Sequence, residues 1–385
     1  MSTMNTKTLA IAAVAVLLVA GAGATAYVLT TDKEEEKTGG LYDLEAMVLK
    51  VDMGGITATP NIVYTIEMLY EKVYGKLPDA EYTLDEARAD TEFWDAYCDY
   101  KPSAVKNKDG TYTVDSKTGR GKNQVTTKVT MGRVDCIIST GSMYMTTIYN
   151  LLCHKHGVEP YSAEAKGSDG LKTDFQKLIA GGTSLDYVEG NTELIGYFNK
   201  ATYADAGANS MGNYDKETMG QNIRDVLGLH PGSNVVVMGS GSHSDQAFFE
   251  STDALVKETG GIALLLIAGS TIKDAFANIE ALGMITGLSA QSEPLLKDLQ
   301  VRLYAVYKAL KTQEGTHKVY WEASNGKAVS GRGTSKAVMD FMGWDTTLMD
   351  GAEHDLENLN QEKPDIIVFY SNDTRPEDVR MRVAT

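Results

Sequence analysis

The chain has 385 residues, 43% hydrophobic and 23% charged, with only 8 Pro and with 37 Gly spread along its length, the composition of a globular protein of two or three compact units. A formal net charge of −16 argues against nucleic acid as a partner, because phosphates need a basic face. The 3 cysteines, Cys98, Cys136 and Cys153, are too few for a disulfide framework, although one bridge would fit an oxidising compartment, and they form no CxxC metal motif.

Residues Leu9 to Leu29 are uncharged, follow a start whose one cation is Lys7, and run into Asp32-Lys33-Glu34-Glu35-Glu36-Lys37. A helix of that length crosses a hydrocarbon core of ~30 Å. Positive-inside logic places residues 1–8 in the cytoplasm and the rest outside. Ala24-Thr25-Ala26 also fits a signal peptidase site, whereas Tyr27-Val28-Leu29 prolongs the run to spanning length. Both routes, a retained transmembrane anchor and a cleaved signal helix in residues 1–31, export the remainder.

Residues 32–105 read as a helical N-terminal extension. Ile62, Ile66, Leu69 and Val73 recur at helical spacing before Gly75 and Pro78, and Phe93, Trp94, Tyr97 and Tyr100 suggest a small aromatic core. From Lys106 the pattern changes to alternating strands, Thr111 to Val114 and a second run ending at Val129, which predict a hairpin. Beyond Gly132, short apolar strands end in Gly/Ser loops that open helices. Val134 to Ile138 leads to Ser139-Thr140-Gly141-Ser142, Val235 to Met238 leads to Gly239-Ser240-Gly241-Ser242-His243, and Val319-Tyr320-Trp321 and Asp365 to Tyr370 repeat the theme. Such strands indicate parallel sheets covered on both faces. The long helical stretch from Thr271 to Thr312 predicts a spine between two α/β lobes, giving a first lobe at 106–270, an interlobe helix at 271–313 and a second lobe at 314–385.

Over roughly Thr111 to Tyr370 the chain resembles the ABC-transporter substrate-binding proteins that deliver siderophores, haem, cobalamin and related metal chelates. The resemblance is carried by Thr111 to Asp115 with Gly119-Arg120, by Gly132 to Ser139, and by Asp274-Ala275-Phe276 through Leu282-Gly283 to Gly287. It continues through Gly331-Arg332-Gly333-Thr334, Met339 to Gly343, and Asn360 to Val368. It implies two Rossmann-like parallel-sheet lobes joined by a helical spine, a metal-chelate ligand, and an ABC permease and ATPase as partners. Two departures stand out. Where the family usually carries a Glu that helps dock the permease, this chain has Thr146-Thr147, and the second lobe lacks the family's further helix and strand after Phe369, so it looks incomplete.

In open parallel sheets ligands sit at the carboxyl ends of the strands. The candidate ligand-binding residues from those loops are Ser139, Ser142, Tyr144, Tyr203, Ser240, His243, Trp321, Arg332, Asn372 and Arg375. Tyr144, Tyr203 and Trp321 could stack on a planar ligand, and Arg332 and Arg375 could pair with its carboxylates. Packing is the alternative for Trp321, and a surface ion pair for Arg375. No enzymatic activity, cofactor or metal site is expected. Ser240, His243 and Asp245 lack the spacing of a nucleophile elbow, and Cys153, His154 and His156 point in different directions on a helix. A second reading is a membrane-anchored structural or sensory protein that keeps the two-lobed fold without transport, suggested by the missing docking Glu and the short second lobe.

Overall fold

The computed structural model describes residues 28–29, 46–51, 59–119, 124–139, 141–182, 197, 203–205, 216–239, 246–260, 263–266, 270–322, 328–329, 333–352, 354, 359 and 361–370. The apolar run from Leu9 lies outside them except for its last two residues. Val28–Leu29 (β1) are extended and pair antiparallel with Met47–Val51 (β2). Among the described residues no helix is long and apolar enough to cross a membrane.

The strand β2 corrects the expectation of an all-helical extension. Leu49 and Val51, two residues apart, are both fully buried, the alternation of a strand with one face on a core. After it comes α1, Asn61–Tyr74, opened by Pro60 and closed at Gly75. Pro supplies helical φ at a position whose N–H would have no partner anyway. Short helical turns follow at Leu84–Ala89 and Thr91–Phe93, and then a π-helical turn at Trp94–Cys98.

The predicted hairpin forms: β4 (Tyr112–Thr118) pairs antiparallel with β5 (Val125–Met131), and β3 (Ala104–Lys106) adds to the other side of β4. The chain then enters a doubly covered α/β unit. Its elements are β6 (Cys136–Ser139), α2 (Ser142–His156), α3 (Asp169–Leu178), β7 (Ile179–Gly182), β8 (Ala204–Asp205), α4 (Lys216–Leu229), β9 (Val235–Gly239), α5 (Gln246–Glu258) and β10 (Ala263–Leu266). The strands form one sheet of order β10-β9-β6-β7-β8, every pair parallel. Alternate residues serve its two faces. Ile137, Ile179, Val236 and Met238 join the main core, whereas Cys136, Ile138, Ala180, Val235 and Val237 pack with Met219, Ile223 and Val226 of α4 and Val256 of α5.

Two helices follow, α6 (Ile272–Thr286) and α7 (Ser289–Leu310). The helical stretch expected over 271–313 is two helices that part at Gly287. Gly287, at φ 78°, ends α6 in the left-handed conformation that glycine adopts without a Cβ penalty, and a Cβ on Gly283 would lie 2.6 Å from Ser292 of α7. Both helices pack against α1 and α2. The aromatics of the extension build no core of their own: Phe93 lies 5.0 Å from Tyr304 and 5.1 Å from Tyr307 of α7, ring centre to ring centre, and Tyr100 lies 6.1 Å from Phe276 of α6.

The second sheet contains β11 (Val319–Glu322) and β12 (Ile366–Tyr370), with the helix α8 (Gly333–Met342) between them in sequence. Its order is β1-β2-β12-β11, and β2 pairs parallel with β12 from Met47↔Ile366 to Val51↔Tyr370. Helix α1 packs on α8. The strand β2 and helix α1 thus join the second sheet and its helical cover from the other end of the chain.

Removing residues 1–58 should leave β12 with an unpaired, apolar edge, and the product should aggregate or melt without cooperativity. Removing only residues 1–45 should leave a cooperatively melting protein. Circular-dichroism melts of both truncations check this, and equal melting temperatures would contradict the structural role given to β2.

Candidate functional site

The carboxyl ends of the first sheet are tied together by polar contacts. Ser139 Oγ, at the end of β6, donates to the Gly141 carbonyl at 2.6 Å, and Tyr144 OH, from the first turn of α2, donates to the Gly239 carbonyl at the end of β9, also at 2.6 Å. Close backbone approach completes this end. A Cβ on Gly181 would meet the Ala204 carbonyl oxygen at 2.5 Å, and one on Gly182 would run into the Ser139 carbonyl oxygen, so β6, β7 and β8 come together here only because β7 ends in two glycines.

These contacts change the role given to Tyr144. Its ring is 1% exposed, so it does not present a face for stacking; it locks the start of α2 to β9. Trp321 is likewise fully buried in the main core, so the packing alternative describes it. Tyr203 sits elsewhere. With Gln176, Ile179, Ala180, Val226, Leu229 and His230 it lines a shallow recess, and Ile179 and Ala180 open β7, so the recess lies toward the amino end of that strand and away from Ser139 and Gly239. Ser142 begins α2. Ser240, His243, Arg332, Asn372 and Arg375 lie outside the described residues.

The carboxyl end of β11 has a different character. Glu322, its last residue, is 8% exposed and accepts a hydrogen bond from Tyr320 OH at 3.2 Å. The Val329 N–H donates to the Trp321 carbonyl at 2.7 Å, turning the chain back along the strand. Among the described residues, two buried polar atoms that flank this connection have no hydrogen-bond partner: Nε1 of Trp321, before it, and Oγ1 of Thr334, in the first turn of α8 after it. Such orphans are rare in folded proteins and each costs about 1–3 kcal/mol. Sequence reasoning passed over Thr334 and Glu322. The signals were there, a hydroxyl residue in the opening turn of a helix after Gly331-Arg332-Gly333, and an acid directly following a buried strand.

The remaining candidates for chemistry are quiet. All three cysteines are buried and free, and burial pushes their thiols up, Cys98 and Cys153 to about 12 and Cys136 to about 11, which leaves them protonated and poorly nucleophilic. His156 Nε2 lies 2.9 Å from Asp174 Oδ2, an ion-pair contact shared with Lys155. Thr146 and Thr147 are buried in α2. Among the described residues no group of three or more His, Cys, Asp or Glu could hold a metal ion.

Trp321→Ala should destabilise the protein by about 3–5 kcal/mol, the cost of deleting a buried large aromatic. Tyr144→Phe should cost about 1–3 kcal/mol by leaving the Gly239 carbonyl without its donor. Thermal and urea unfolding of both variants measure this, and wild-type stability for Trp321→Ala would show that the ring is not part of the core.

No protein-family model and no curated protein matches the chain. Among solved structures it is similar to a periplasmic solute binding protein from Veillonella parvula, at 18% identity over 66% of this chain and 69% of that one, with a TM-score of 0.43. It is also similar to a TroA-like periplasmic binding protein from Xylanimonas cellulosilytica, at 16% identity over 71% and 87%, with a TM-score of 0.45. A third is the triscatecholate siderophore binding protein FeuA from Bacillus subtilis, at 15% identity over 67% and 79%, with a TM-score of 0.40.

Proposed function

We propose that the chain is an extracytoplasmic substrate-binding protein that takes up an iron chelate, a siderophore or haem, and presents it to an ABC importer without transforming it. The reading rests first on the sequence resemblance and on two sheets, the first all parallel and the second parallel across β2, β12 and β11, since such folds hold ligands at the carboxyl ends of parallel strands. The observation that supports it is Thr334 Oγ1, a buried hydroxyl in the first turn of α8 with no hydrogen-bond partner among the described residues, directly after the connection that contains Arg332. Buried polar atoms of this kind suit a polar ligand edge, and Arg332 would add the charge that pairs with carboxylates or catecholates. The export of the chain, by a retained anchor or a cleaved signal, rests on the apolar run of the sequence up to Tyr27, since Val28 and Leu29 form β1.

Calorimetric titration of the purified chain against ferric catecholate and hydroxamate siderophores, haem and cobalamin should find one class bound at micromolar affinity or better. Arg332→Ala should weaken that ligand by about 1.5–3 kcal/mol, the range for a charge-assisted hydrogen bond. Absence of binding to every member of the panel would overturn the reading.

A further inference from the structure

A cluster around Arg302 joins three elements and stands apart from the proposed ligand site. Arg302, on α7, lies 3.2 Å from Glu67 of α1, 2.9 Å from Asp298 one turn earlier on α7, and 3.8 Å from Glu159 in the segment after α2. Its guanidinium also sits 5.4 Å from the centre of the Tyr64 ring. One cation therefore serves three carboxylates. The innermost of them, Glu67, has a side chain only 16% exposed.

The seam beside this cluster is polar too. Asn61 Nδ2, on α1, donates to Tyr161 OH at 3.0 Å, and Asn150 Nδ2, on α2, donates to the Thr146 carbonyl at 2.9 Å. Thr65 Oγ1 on α1, with Thr146 Oγ1 and Asn150 Oδ1 on α2, are buried without hydrogen-bond partners among the described residues. An under-satisfied polar contact of this kind is held by few ties, so the charge state of the Arg302 cluster weighs heavily on it.

We propose that the Arg302 cluster is a proton-operated clasp on α1, and through α1 on the inserted strand β2: it tightens when Glu67 takes up a proton from solvent and loosens when Glu67 gives it back. With Glu67 ionised, the cluster carries two negative charges beyond what Arg302 balances. With Glu67 protonated, its carboxyl can still bond within the cluster and one of those charges is gone.

Burial pushes the Glu67 carboxyl up to about 7, outweighing the opposite pull of Arg302, with Asp298 and Glu71 adding to the rise. A carboxyl that holds its proton more tightly when folded adds stability as pH falls through about 7 toward the ordinary carboxylate range, and that stability is lost as pH rises again. His154 on α2 works against it. Burial holds its imidazole below the usual value, with Arg302 reinforcing and Asp298 and Glu159 opposing, so its contribution is lost as pH falls. Tyr64 is driven far above the ordinary tyrosine range, chiefly by burial, and stays neutral throughout.

Hydrogen exchange of the α1 amides in the full chain, compared between wild type and Glu67→Gln, isolates the Glu67 contribution from that of His154. On going from pH 8 to pH 5.5, after correction for intrinsic exchange, wild-type protection of α1 should rise by about tenfold or more relative to Glu67→Gln, since each unit of pKa difference is a factor of ten in proton binding. Identical pH dependence in the two proteins would overturn the clasp. Should Glu67→Gln fail to fold, a carbon-13 titration of the Glu67 carboxyl in the wild type decides: a midpoint near neutrality supports the clasp, and one in the ordinary carboxylate range overturns it.

Discussion

The second sheet depends on the pairing of β2 with β12. Without it β11 and β12 would be a two-stranded parallel ribbon, an arrangement too small to be stable by itself. With it, β12 becomes an inner strand, and Ile366, Ile367 and Val368 are buried. The same insertion delivers α1 to the surfaces of α7 and α8, so one segment supplies both the sheet neighbour and part of its helical cover. The pairing joins segments from opposite ends of the chain, and such non-local contacts form late, because loop closure must precede any gain from them. The second sheet is therefore the part of the fold expected to assemble last.

The two sheets treat their carboxyl ends differently. At the first, Ser139, Tyr144 and the glycines of β7 close the backbone tightly on itself, using hydroxyl-to-carbonyl bonds that satisfy groups otherwise stranded at strand ends. At the second, Trp321 and Thr334 leave polar atoms without partners among the described residues. A surface whose hydrogen bonds are already complete gives shape to a site, whereas one with unmet donors gives it affinity. On that argument the polar selectivity of a ligand site would come from the second sheet.

Much of this architecture was legible in the sequence, and the exceptions have physical causes. The hairpin, β6, β9 and α1 were readable because their apolar residues repeat at strand or helix period, and Gly75 and Gly287 marked real helix ends. The strand β2 was missed because Met47 to Val51 is short and interrupted by Lys50, and its partner lies at the far end of the chain, where no local pattern announces it. The role of Tyr144 was misjudged, and that of Trp321 left open, for another reason. An aromatic residue at a strand end or loop has the same sequence signature whether it faces a ligand or a helix, and only the packing partners, Gly239 for Tyr144 and the main core for Trp321, distinguish the two. Glu67 and Arg302 were invisible as a pair because they sit on helices that meet only through the insertion of the N-terminal segment.

The distribution of the core bears on how the fold can move. One continuous cluster takes in residues of both sheets, the hairpin and helices α1, α2, α6, α7 and α8, while a smaller cluster is private to the far face of the first sheet with α4 and α5. Packed interiors deform little, and large motions need interfaces that can switch between discrete arrangements. The shared cluster therefore resists wide separation of the sheets, since parting them would expose Leu295, Leu299 and Leu303 of α7 together with Ile62, Ile66 and Leu69 of α1. Part of that interior is polar: Asn150 Nδ2 of α2 lies 3.5 Å from Asn61 Oδ1 of α1, and Asn61 Nδ2 donates to Tyr161 OH, so a shift of α1 against α2 would have to exchange these bonds as well as slide apolar surface.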